Sequence, residues 1–152
     1  MNHARVVMAA IICVSLPALL LLHLPALAQG PLRITVQTVK ATKGPKSVDP
    51  QLRSIARELS SILNYSSFSL IKRSNLNLAV NQSGKVGLPK GQVLELTPLG
   101  IDGKRARLSV SIKDGGRETF HTILQLVNRG SVLIGGPSYE DGALMFNVSA
   151  QF

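Results

Sequence analysis

The sequence is poor in the side chains that usually carry chemistry. It has one cysteine (Cys13), no tryptophan, four Phe, two Tyr and three histidines, of which only His121 lies beyond residue 28. A metal site needs clustered His, Cys or carboxylate ligands, and here the acids stand singly except for Glu140-Asp141. A Ser–His–Asp nucleophile would have to use His121, set between Phe120 and Thr122 in mid-strand, where a histidine reads as a surface side chain. No spacing marks a carboxylate pair or a lysine base. Aromatic residues are also too few to form base-stacking or sugar-stacking platforms, and Phe68, Phe120 and Phe146 fall in core phase. The expectation is a protein that is not an enzyme, takes no cofactor and reads no nucleic-acid sequence.

What is present begins with an export signal. Arg5 supplies charge, Val6 to Leu22 run apolar apart from Ser15 and Pro17, and Pro25 stops the helix before Ala26-Leu27-Ala28. That is the order of a cleavable secretory signal, with small residues where the peptidase cleft demands them. Residues 1–28 are therefore expected to leave, and residues 29–152 to form one domain. An uncleaved anchor fits less well. Pro17 and Pro25 interrupt the run, and Arg33, Lys40, Lys43 and Lys46 follow it on the wrong flank. Ile11-Ile12 precede Cys13 in place of the small residue that lipidation wants. The mature chain, without cysteine, must stand on packing alone, a habit of the bacterial cell envelope. A periplasmic or secreted location follows, with no stable membrane insertion after cleavage.

Charge is distributed unevenly. Residues 29–90 hold ten basic and two acidic side chains, whereas residues 91–152 hold six of each. Such polarity creates a one-signed field if the halves of the sequence become halves of the fold. Lys43 and Lys46 lie in a turn-rich loop, and Arg53 and Arg57 sit four apart on the helix predicted next, so these four are the candidate anion-binding residues. The other reading of the same charges is solubility.

The helix is predicted over about 50–63. Asp49 caps it, Pro50 suits its first position, and Leu52, Ile55, Ala56, Leu59, Ile62 and Leu63 form one apolar stripe. Arg53 and Arg57 fall on one flank of the stripe and Glu58 on the other. Elsewhere the period is two. Strands are expected at Leu32–Ala41, around Phe68 and Leu70, around Leu76 to Val80, at Val86 and Leu88, and at Val93–Leu96. Further strands are expected at Arg105–Lys113, Thr119–Val127, Ser131–Gly135 and Ala143–Gln151. Treating Asp114-Gly115-Gly116 as a three-residue hairpin loop pairs Val110 with Phe120 and Leu108 with Thr122, which keeps the apolar faces together. The fold class is α+β: mainly an antiparallel β-sandwich or open barrel with one amphipathic helix.

Two resemblances accompany this reading. Leu133-Ile134-Gly135-Gly136-Pro137 is similar to the strand–Gly-Gly turn of bacterial secretins, over this short run only. The run Val48-Asp49-Pro50-Gln51-Leu52, the helix, Tyr65-Ser66-Ser67-Phe68-Ser69-Leu70 and Leu88-Pro89-Lys90-Gly91 together resemble small exported bacterial proteins of unknown function. That resemblance implies an envelope setting and assigns no site. The expected role is an interaction module that binds a protein or an anionic polymer or surface of the envelope. The alternative is a structural accessory subunit of an envelope or secretion complex, pairing through its strand edges.

Overall fold

Apolar–polar alternation runs through most of the chain, and these stretches become strands because every second side chain then reaches a core. The computed structural model describes residues 30–62 and 64–152, so the expected signal segment lies outside the described residues, as do Leu63 and the Ile62 side chain. The strands are β1 (Leu32–Thr42), β2 (Ser47–Val48), β3 (Ser67–Leu78), β4 (Gly84–Gly87), β5 (Val93–Asp102), β6 (Arg105–Asp114), β7 (Arg117–Val127), β8 (Ser131–Tyr139) and β9 (Gly142–Gln151). One sheet has the order β2-β3-β1-β9-β8 and the other β4-β5-β6-β7. Every pairing is antiparallel except the short parallel contact of β2 with β3. The chain is mostly β with little helix, and its two sheets close no barrel.

The sheets share one core. Leu32, Ile34 and Val36 of β1 and Leu144, Phe146 and Val148 of β9 meet Leu94 and Leu96 of β5 and Leu108, Val110 and Ile112 of β6. Each such side chain contributes about 1.5–3 kcal/mol when fully buried.

A second core lies on the opposite face of the five-stranded sheet. Val39 and Ala41 of β1, Met145 of β9 and Phe68 of β3 are buried there against Leu52, Ile55 and Leu59. β3 serves both cores by changing phase. Thr38 pairs with Lys72 and Val39 with Leu70, so Ile71 is an extra, unpaired residue. Phe68 therefore faces the second core while Leu78 faces the first. The two strands expected at Phe68–Leu70 and Leu76–Val80 are thus one bulged strand ending at Leu78.

The covering segment also departs from expectation. Asp49 Oδ1 accepts the Gln51 amide at 2.9 Å, and Pro50 starts a 3-10 turn, Pro50–Leu52. The α-helix, α1, is only Ala56–Ile62. Leu52, Ile55 and Leu59 must all point at the sheet, and their spacing of three and then four suits a tight turn followed by an α-turn.

The β6–β7 hairpin corrects the expected register. Its loop is two residues, Gly115 and Gly116, both at positive φ, and Asp114 pairs with Arg117. Phe120 stands opposite Ile112, and Thr122 opposite Val110. The apolar faces still coincide, because Thr119 bulges out of the ladder and restores the phase. β8 runs beyond the expected Gly135 to Tyr139, with Gly136 and Pro137 in a further bulge.

Candidate anion-binding surface

Arg53 follows the 3-10 turn and Arg57 lies in α1; both are exposed, and they line one shallow groove with Ser54, Glu58 and Ser61. Glu58, expected on the other flank, shares the groove. The three buried residues of this segment form a narrow stripe, which leaves a wide outer face for both signs of charge. Lys43 and Lys46 are exposed in the β1–β2 loop and lie outside that lining. The loop is held by Ser66, whose Oγ accepts the Gly44 amide at 3.0 Å. The structure therefore joins the two arginines in one groove and leaves the two lysines in a separate loop.

Topology also mixes the sequence halves. β8 and β9 return to the sheet of β1 and β3, and their turn brings Glu140 and Asp141 to Lys40. Lys40 Nζ bonds to Glu140 and lies 2.9 Å from Asp141. These bonds, Glu140 first, hold the Lys40 ammonium well above the usual lysine range. The ammonium in turn holds both carboxyls below theirs. The Tyr139 ring lies beneath Lys40 and Lys90, at 5.9 and 5.6 Å from its centroid.

Among the described residues the other ion pairs join Glu95 to Lys113 at 3.0 Å and to Lys85 at 3.8 Å. Asp49 caps the 3-10 turn, and Asp114 accepts from Gln92 at 3.0 Å. Most carboxylates are thus engaged with other partners. All eight arginines among the described residues are exposed, and none makes an ion pair with a described residue.

A further surface escaped the sequence reading. Beyond the ground covered by Leu52, Ile55 and Leu59, the outer face of the five-stranded sheet presents a grid three strands wide. Arg33 pairs with Asn77 and Gln151, Thr35 with Asn75 and Ser149, and Gln37 with Arg73 and Asn147. No carboxylate occurs in these rows. Thr35 Oγ1 donates to Asn75 Oδ1 at 2.9 Å, and Asn147 Nδ2 to the buried Gln37 Oε1 at 2.9 Å, so neighbouring side chains fix one another. Arg33 and Arg129 line a polar hollow with Thr35 and Ser149. Only strand register assembles this grid. In the sequence its residues are scattered odd positions of three distant strands.

His121 Nε2 lies 3.0 Å from Ser109 Oγ on the outer face of the other sheet. Among the described residues no three metal-ligating side chains gather, and no helix is long and apolar enough to cross a membrane. Comparison with protein-family models, with curated proteins and with solved structures finds no match.

Proposed function

We propose that the protein is an exported, non-enzymatic interaction module that binds an anionic component of the bacterial cell envelope. In this reading the fold is a β-sandwich, and the amphipathic 50–62 segment roofs part of its outer face. The observation that carries the proposal is the set of exposed arginines that, among the described residues, have no carboxylate partner, whereas every ion pair there uses lysine. Arginine presents a planar fork suited to carboxylate and phosphate oxygens, and it is less tightly hydrated than an ammonium. The Arg53–Arg57 groove and the acid-free grid lie on the same sheet, so a polymer could engage both.

The test is elution from immobilised heparin. Binding by charge falls steeply with salt, because association releases counterions. Arg53→Glu with Arg57→Glu should elute at lower salt than Arg105→Glu with Arg107→Glu, a pair that changes the net charge equally on the other sheet. Arg33→Glu with Arg73→Glu should follow the first pair. Identical elution of all three double variants would overturn the proposal and leave net charge as the whole effect.

A further inference from the structure

The edge of a sheet shows unpaired amides and carbonyls that invite another strand, and proteins usually blunt such edges. The four edges here are β2, β8, β4 and β7. Three are blunted. β2 has two residues and β4 four. β8 is broken by its bulge at Gly136-Pro137, where proline removes an amide. β7 is different. It has 11 residues, pairs with β6 without a break from Phe120 to Val127, and makes no other strand pairing among the described residues.

Its side chains are those of a contact surface. Ile123 and Val127 point away from the core and are 48% and 52% exposed, two of the three large hydrophobics exposed among the described residues. In register beside Gln125 and Val127, on β6, stand Arg107 and Arg105. On the inner side, Phe120 is half-buried and borders a hollow of about 240 Å³ that reaches Pro137.

We infer that β7 is a docking edge that receives an extended segment of another protein, with acidic side chains outward and apolar ones inward. Backbone bonds to β7 would supply affinity, and side chains at alternate positions specificity. An added strand lies two spacings, about 10 Å, from β6, a gap that arginine and glutamate side chains close over Gln125. Charge complementarity also argues against a second copy as the occupant. Antiparallel self-pairing about Gln125, which sets each Ile123 against the other copy's Val127, would align Arg107 of both copies across three strand spacings, about 14 Å, with two Gln125 side chains and no acid between them. The inference rests on the reading of the chain as an interaction module, but not on the Arg53–Arg57 groove.

The probe is a fluorescent, end-blocked peptide of alternating valine and glutamate, about nine residues long to span the regular part of β7. Its binding to the full exported chain is followed by anisotropy. Saturable binding is expected, weakened about tenfold or more by Arg105→Glu with Arg107→Glu. It should persist in Arg53→Glu with Arg57→Glu. A valine–lysine peptide should not bind. Neither should the valine–glutamate peptide N-methylated at alternate residues, which keeps its side chains but cannot join a sheet. Equal binding of the N-methylated peptide, or no binding by any peptide, overturns the inference. Loss of binding only in the Arg53/Arg57 variant also overturns it, and moves the peptide to the groove while the anion-binding reading survives. A dimer in sedimentation that Ile123→Lys dissociates would make the occupant a second copy and overturn the assignment to another protein.

Discussion

The Thr119 hydroxyl donates to the Ile112 carbonyl at 3.1 Å, and this bond sits where the β6–β7 ladder slips by one residue. The slip lets a two-residue turn serve a strand whose apolar phase asks for an odd loop. Thr119→Val should cost about 0.5–1.5 kcal/mol, the net worth of one such bond. Deleting Thr119 should be tolerated about as well, because Phe120 then follows Glu118 directly. The Ile112–Phe120 pair then follows Lys113–Glu118 in an unbroken two-residue hairpin, and Phe120, Leu124 and Leu126 still face inward. Urea denaturation compares the two. A deletion variant far less stable than Thr119→Val would show that the bulge does more than restore the phase.

Leu59 should be an anchor of the 50–62 segment. It is fully buried against the second core, whereas Ser60 is exposed and its hydroxyl merely donates to the Ala56 carbonyl at 2.8 Å. Leu59→Ala should cost about 2–5 kcal/mol, a large part of the roughly 5–15 kcal/mol that holds a domain. Ser60→Ala should change the denaturation midpoint little. Small, equal effects would mean that the segment does not depend on this core.

These results show what was legible in the sequence. The inner faces of β1, β6 and β9 were read correctly, because Leu32, Ile34 and Val36, or Leu144, Phe146 and Val148, alternate without interruption. Of the second core, the apolar stripe of Leu52, Ile55 and Leu59 was legible and the sheet face it covers was not, although Val39 and Ala41 are apolar at positions out of phase with Ile34 and Val36. A strand apolar on both faces needs cover on both, and the cover comes from 50–62. The four-residue spacing of Arg53 and Arg57 was a local fact, and the groove keeps it. The grid of Arg33, Arg73 and Asn147 was invisible, since it depends on β9 pairing with β1 across more than a hundred residues. The asymmetry of charge between the two halves of the sequence was undone by the same return of β8 and β9.

Gly142 should tolerate no side chain. A Cβ there would run into the carbonyl oxygen of Ala41, a backbone atom in the middle of the sheet that cannot step aside. Gly87, on edge strand β4, has nothing within 4 Å of the same position. Gly142→Ala should therefore destabilise by about 1–3 kcal/mol or more, and Gly87→Ala should stay within about 0.5 kcal/mol of the parent. Thermal melts of both variants check this, and equal melting temperatures would refute it.

The Lys40 cluster should give stability a pH profile with two limbs. Glu140 and Asp141 are held below the usual carboxylate range, chiefly by their hydrogen bonds to Lys40. Their contribution is complete above the range of unfolded carboxylates and is lost as pH falls through their lowered folded values. Lys40 is held above the usual lysine range by the same bonds. Its contribution is complete below the range of an unfolded lysine and is lost as pH rises through the raised folded value. Between these limbs the cluster contributes a constant amount, kept small by solvent, since the Glu140 and Asp141 side chains are 53% and 69% exposed. Lys40→Met removes both limbs while keeping most of the aliphatic stem. The difference in urea midpoint between parent and variant should therefore be flat from about pH 6 to 9 and shrink toward acid as the two carboxyls protonate. High salt at neutral pH should shrink it as well, because exposed pairs are screened. A difference that keeps its size down to about pH 2, below the ordinary carboxylate range, would mean that Lys40 acts through packing on Tyr139 and not through its two acids.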